Sequence, residues 1–320
     1  MKAIVVHQAG PQEVLTYEER PTPVPDANEV LIRIRAFGLN RAELFTRQGD
    51  SPGVRFPRVI GIECVGEVAA DPSNSLVPGT KVATMMGGMG RQYDGSYAEY
   101  TVVPRKQVLV IRTSLDWEKF AALPEMFQTA HGSLRKALRV TAGKSILIRG
   151  GTSSVGLAAI SLAKTYGLRV VATTRQTGRT PQLRDQGADH VMIDDGNLSA
   201  PAHTEFGGFD YVLDLIGTRT LNDSLLCVTD GGTVCMTGIL AGEWELNGWN
   251  PMEHIRSGCY LTAYSGSGMA AADLQEIVDQ VEQGRLRVSF DRVFDFSEIV
   301  AAHKYMEANQ AVGKLVIRVP

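Results

Sequence analysis

The stretch ILIRGGTSSVGLAA, Ile146–Ala159, decides how the chain is read. An apolar run ends in five small residues, Gly150 to Ser154, and then resumes with helical spacing. A turn alone has no use for so many side chains without bulk. A dinucleotide-binding strand–turn–helix does. Small residues permit the tight turn, let a pyrophosphate approach the backbone and let the helix lie close on the strand. The helix N-terminus adds free N–H groups and a partial positive charge. The spacing is Gly150-x-x-Ser153-x-x-Gly156, so a serine holds the middle place of the usual three-glycine pattern. Gly150, Gly151, Thr152, Ser153, Ser154, Val155 and Gly156 are therefore candidate cofactor-binding residues, with an ordinary strand–helix turn as the alternative.

The next strand-like run, RVVATT, leads into TTRQTGR. In an NAD site an acidic residue about 20 positions after the glycines binds the ribose hydroxyls. No Asp or Glu occurs from Thr165 to Pro181; Thr173, Thr174, Arg175 and Arg179 cluster there instead. Guanidinium and hydroxyl groups bind a 2′-phosphate that a carboxylate would repel. The expected cofactor is thus NADPH, with a solvated basic loop as the alternative.

Around this centre, SILIRG, RVVATT, HVMI, YVLDLIG and GTVCMTG read as strands, with helical segments between all of them but HVMI and YVLDLIG, and such alternation is the pattern of a covered parallel sheet. The first 120 residues are strand-like and rich in Gly and Pro, with EVLIRIRAFGLN alternating as a half-buried strand. Near the C-terminus, AADLQEIVDQVEQG is an amphipathic helix stopped at Gly284, SEIVAAHKYMEAN is a helix with Ser297 as N-cap, and GKLVIRVP is a closing strand. The MMGGMG run reads as a mobile loop whose methionines suit apolar ligands.

Composition bounds the function. The chain has 320 residues and a net charge of −3, which suits about two domains and gives no reason to expect nucleic acid or an anionic membrane as partner. No apolar window is long enough for a transmembrane helix, and MKAIVVHQAG reads as a first strand, not a signal peptide. Cys64, Cys227, Cys235 and Cys259 form no disulfide-like framework, so a cytoplasmic location is expected.

Taken together, MKAIVVHQAG, VLIRIRAFGLNRAELFTRQG, RVIGIECVGEV, PGTKVA, GSYAEYTVV, the glycine-rich turn, FDYVLDLIG, GGTVCMTG and GKLVIRVP, in this order, resemble the medium-chain dehydrogenase/reductase superfamily, in its zinc-independent quinone oxidoreductase branch. The resemblance implies an α/β chain of two parts. A GroES-like β-rich catalytic domain is expected from residues 1–120 together with 256–320. A Rossmann domain with a six-stranded, doubly wound parallel sheet is expected from 121–255, with the active site in the cleft between them. It also implies a homodimer, with CYLTAYS as a candidate edge strand.

Zinc-dependent relatives place a Cys in the segment matching GLNRAE and a His just before the Glu of GIE. Here those places hold Asn40 and Ile62. Three protein ligands with an open position cannot be assembled from them, so no metal is expected. The implied activity is hydride transfer from NADPH to a small molecule, a quinone or α,β-unsaturated carbonyl, whose conjugation spreads the developing charge. An enoyl-thioester reductase and a non-catalytic NADPH-binding sensor or structural protein are the alternatives. By similarity Asn40 and Thr129 lie near the nicotinamide, Phe45 replaces a frequent tyrosine and makes an apolar wall, and Thr237, Gly238 and Ile239 line the nicotinamide pocket. Asp194 stands where a tyrosine commonly contacts a cofactor phosphate, and Asn309 where some relatives have an arginine. Glu63 and His131 are expected to be structural.

Overall fold

The strand–helix alternation after residue 140 folds into a six-stranded, wholly parallel sheet. The structure, a computed structural model, describes residues 1–266 and 268–320. Strand order is His190–Ile193, Arg169–Thr174, Ser145–Arg149, Phe209–Asp214, Val228–Met236 and Tyr260–Ala263. The chain winds outward from Ser145–Arg149 in one direction and then from Phe209–Asp214 in the other. The neighbours Ser145–Arg149 and Phe209–Asp214 thus mark the switch point at which open α/β sheets bind ligands. All five residues of Ser145–Arg149 are buried, as expected for a central parallel strand covered on both faces. The helix Ser154–Thr165 buries Gly156 through Ala163.

The chain divides into two compact units. One is Met1–Glu125 with Gly268–Gln283 and Phe290–Pro320; the other is Met126–Ser267 with Gly284–Ser289. Residues 256–266 therefore fall with the parallel sheet and not, as expected from sequence, with the β-rich part. The reason is strand pairing: Tyr260–Ala263 lies parallel to Thr233–Met236 and becomes the sixth strand.

In the first unit the long strand Glu29–Leu39 is central. It pairs antiparallel with Glu63–Ala70, Tyr100–Pro104 and Lys314–Arg318. Its alternation predicts one wet face, yet only Arg33 is exposed. Tertiary packing covers the rest; Phe37, for instance, stacks on Tyr97 at 4.8 Å and meets Phe296 edge-on at 6.4 Å.

Two local expectations are corrected. Asp295, not Ser297, opens the last helical segment, because Asp295 and Glu298 form a reciprocal capping box and the α-helix proper is Ile299–Glu307. In MMGGMG, Met85 ends the strand Lys81–Met85 and Met89 is buried in the core of the first unit. Among the described residues no helix is long and apolar enough to cross a membrane.

Candidate functional site

The glycine-rich turn answers the question posed by its sequence. Gly150 sits at φ +85°, a left-handed conformation that favours glycine. At Gly156 a Cβ would lie 2.4 Å from the Gly150 carbonyl oxygen and 2.7 Å from that of Gly151, so the helix touches the turn backbone to backbone. Ser153 is the helix N-cap: its hydroxyl accepts from Gly156 N at 3.0 Å and donates to Gly150 O at 2.9 Å. The serine in the middle place thus closes the turn and caps the helix. The first-turn amides of Ser154 and Val155 have no carbonyl within the helix to bond, as at any helix N-terminus.

The end of the second strand is less open than its composition suggests. Thr173 and Thr174 are buried. The Thr173 hydroxyl accepts from Gly150 N at 3.1 Å, and Thr174 Oγ1 accepts from Gln176 N at 3.1 Å. Neither threonine presents a free hydroxyl to a 2′-phosphate. Arg175 is exposed and Arg179 half-buried.

Asp194 is turned inward. Its carboxylate takes a bidentate clamp from Arg149, 2.8 Å from Nε and 2.9 Å from Nη2. At the switch point, Thr237 N donates to Asp214 O at 2.9 Å, and a Cβ on Gly238 would lie 2.2 Å from Leu215 O. The segment Thr237, Gly238 and Ile239 is thereby pressed against the end of the neighbouring strand. Thr129 is half-buried. Its hydroxyl accepts from Gln128 Nε2 at 3.3 Å, and Gln128 in turn takes the Tyr264 hydroxyl on Oε1. His131 bonds Tyr166 OH at 3.0 Å, which fits its structural assignment.

In the first unit, Asn40 caps the helix Arg41–Gln48 and is 8% exposed. Its amide is fully engaged. Nδ2 donates to Glu63 Oε1 at 2.9 Å and to Glu43 Oε1 at 3.3 Å, and Oδ1 accepts from Lys314 Nζ at 2.5 Å. Lys314 also donates to Glu63 Oε1 at 2.5 Å, and Glu63 Oε2 accepts from Glu125 N at 2.8 Å. Glu43, Glu63 and Lys314 are completely buried. A Cβ on Gly38 would strike the Lys314 stem at 2.2 Å, so the strand needs glycine there to admit the lysine. Phe45 lies half-buried on the same helix. Asn309, at φ +53°, accepts from Arg41 Nη2 at 2.8 Å.

Two buried groups of the first unit, Glu43 and His303, carry a pH dependence. Burial raises the Glu43 carboxyl to about 7, whereas burial, followed by the charge of Arg47, lowers His303 to about 3. From pH 4.5 to 7 folded Glu43 keeps a proton that the unfolded chain loses, so its contribution to stability falls as pH rises. Folded His303 resists protonation, so its contribution falls as pH drops from 6.5 toward 3. Across pH 4.5–6.5 the two oppose each other. Glu43→Gln should remove the first, so that its stability rises relative to wild type by roughly 3 kcal/mol between pH 4.5 and 7. Urea unfolding of both proteins at several pH values measures this, and parallel pH profiles would contradict it.

Residues 26–113 match the family described as alcohol dehydrogenase GroES-like domain, and residues 186–317 match zinc-binding dehydrogenase. The 2-methylene-furan-3-one reductase of Solanum lycopersicum is 32% identical over 99% of this chain and 79% of its own length. This chain belongs to the medium-chain dehydrogenase/reductase superfamily, in its quinone oxidoreductase-like branch. The human quinone oxidoreductase is 27% identical over 99% of this chain and 97% of its own. A mycobacterial protein solved in complex with NADPH superposes with a TM-score of 0.88 at 25% identity, covering 99% of this chain and 100% of that one. As a member of this superfamily the chain is an NAD(P)-dependent oxidoreductase, with a GroES-like domain and a Rossmann-like nicotinamide cofactor-binding domain.

Within that superfamily, the residues at the catalytic-zinc places do not fit the metal. Ile62 offers no donor, and both polar atoms of the Asn40 amide are spent on Lys314, Glu63 and Glu43. An ammonium already sits against the oxygens that a cation would seek. The nicotinamide dinucleotide does fit, since Gly150 and Gly156 make a cradle that side chains would fill.

The sequence reading missed Arg149, Glu43 and Lys314. Two of them had a legible signal. Arg149 in SILIRG and Lys314 in GKLVIRVP are charges at the ends of apolar strands, and such charges are buried only with partners.

Proposed function

We propose that this chain is an NADPH-dependent reductase of quinones or α,β-unsaturated carbonyls that works without zinc. One observation carries the reading. A turn crowded to backbone contact at Gly156 stands at the C-terminal edge of the parallel sheet, and the strand beside it, Arg169–Thr174, is followed by Arg175 and Arg179 with no carboxylate between Thr165 and Pro181.

When bound, the nicotinamide supplies a hydride; a conjugated acceptor takes it without a Lewis acid, because its own oxygen receives the charge. The amides of Thr152, Ser154 and Val155 hold the pyrophosphate, and Arg175 and Arg179 hold the 2′-phosphate. Thr129 and Thr237–Ile239 orient the nicotinamide end, and Phe45 excludes water as an apolar wall. Asn40 acts through the buried network and not as a free donor to substrate, since its amide hydrogens already go to Glu63 and Glu43. Tyr260–Ala263, the terminal strand of the parallel sheet, supports a homodimer in which two such edges pair. The four buried thiols suit a reducing cytoplasm.

Deuteride from labelled NADPH should appear at the β-carbon of a cyclic enone; label on the carbonyl carbon would refute the reaction. NADPH should bind at least tenfold more tightly than NADH, roughly 1.4 kcal/mol. Replacing Arg175 and Arg179 together by Ala should narrow that gap, and equal wild-type affinity for the two cofactors would refute the phosphate assignment.

A further inference from the structure

We infer that Arg149, Asp194 and Thr173 form a positioning relay that sets the phosphate-binding turn, and that none of the three reads the 2′-phosphate. The inference rests on dinucleotide binding by the second unit and not on the preference for NADPH.

Arg149 is the last residue of the first parallel strand and is completely buried. Strand register explains its surroundings. Arg149 stands opposite Asp214 on one side, while on the other the intervening strand pairs Thr174 with Ile193 and so places Asp194 beside its own end. The guanidinium reaches Asp194, just past the end of the strand beyond its neighbour, and Asp223 and Ser224 on the helix Thr218–Leu226. Nε and Nη2 clamp both oxygens of Asp194, and Nη1 bonds Asp223 Oδ2 at 2.7 Å and Ser224 Oγ at 3.0 Å. Bidentate pairing of this kind fixes direction as well as distance.

Asp194 passes that direction on. Its Oδ2 accepts from Thr173 Oγ1 at 3.3 Å, and its Oδ1 also accepts from Gly196 N at 3.0 Å. The carboxylate has nothing left to turn toward a phosphate. A hydroxyl has one hydrogen to give. With that hydrogen directed at Asp194, the Thr173 oxygen presents a lone pair to Gly150 N at 3.1 Å. The Thr173 carbonyl accepts from Gly151 N, also at 3.1 Å. One residue of the second strand therefore anchors the first two amides of the turn. Those anchors orient the peptide planes that follow, Thr152 to Val155, whose amides hold the pyrophosphate in the proposed binding mode. The pyrophosphate is common to NADPH and NADH, so the relay governs affinity for both and discriminates neither.

The test measures Kd for NADPH, NADH and adenosine 2′-monophosphate, the last carrying the 2′-phosphate without a pyrophosphate. Thr173→Val removes the hydroxyl at nearly constant shape. It should weaken NADPH and NADH by the same factor, about tenfold, and leave adenosine 2′-monophosphate unchanged; Thr173→Ser should restore wild-type binding. Loss confined to NADPH and adenosine 2′-monophosphate would make Thr173 a 2′-phosphate ligand, and unchanged binding of all three would remove it from the turn; either result overturns the relay. Asp194→Asn supplies an independent test should the valine variant not fold. The relay predicts weaker binding of both dinucleotides, whereas a carboxylate facing the phosphate predicts tighter NADPH binding once neutralised. If wild type failed to prefer NADPH, the preference would fall, while the equal-factor test would still decide the relay.

Discussion

Lys314→Met is expected to destabilise the protein by about 3–5 kcal/mol, because it leaves Glu63 as a fully buried carboxylate without a counter-charge. Methionine keeps the length and flexibility of the stem, so lost packing contributes little. Glu63 would retain only the Asn40 amide and the Glu125 backbone N–H, which satisfy its lone pairs but not its charge. The same logic predicts partial rescue. Lys314→Met combined with Glu63→Gln removes both charges and should recover most of the loss, since a neutral replacement of a buried pair is far cheaper than half of it. Urea midpoints at constant pH compare the three proteins. A single variant within 1 kcal/mol of wild type would show that the ammonium does not neutralise Glu63. Asn40→Ala should shift stability in the same direction, because it removes the one group that joins Lys314, Glu63 and Glu43.

The second large effect concerns the turn. Gly156→Ala should lower affinity for nicotinamide dinucleotides at least 100-fold, roughly 2.7 kcal/mol. The added carbon would sit 2.4 Å from Gly150 O, 2.7 Å from Gly151 O and 2.8 Å from Gly151 C. All three are backbone atoms, so no side chain can swing aside, and the helix must back away from the turn. Its first amides then move off the position where a phosphate meets them. Titration of NADPH fluorescence measures the loss, and wild-type affinity would exclude the close approach. Ser153→Ala, by contrast, removes only an N-cap bond and should cost stability, about 1 kcal/mol.

The sequence alone determined the features that depend on local chemistry. The alternation of apolar strands with helical spacing after residue 140 specifies a parallel sheet, because each strand must be covered on both faces. Gly150 and Gly156 specify the turn, because one needs a left-handed φ and the other admits no Cβ. Asn40 and Ile62, at the places where the resemblance puts zinc ligands, set an expectation by donor chemistry alone.

Only the tertiary structure decided how polar groups are spent. Thr173 and Asp194 are 21 residues apart in the chain, as Asn40 and Lys314 are 274 apart, and in each case register between strands sets the distance. A hydroxyl or amide in a sequence has the same donors and acceptors wherever it falls. Whether it serves a ligand or a buried neighbour depends on which partner the fold brings within 3 Å, and a buried charge forces that choice because leaving it unpaired costs several kcal/mol. For that reason Thr173, legible as a phosphate ligand, is bound to Gly150, and Asn40, expected near the nicotinamide, ties together Lys314 and Glu63.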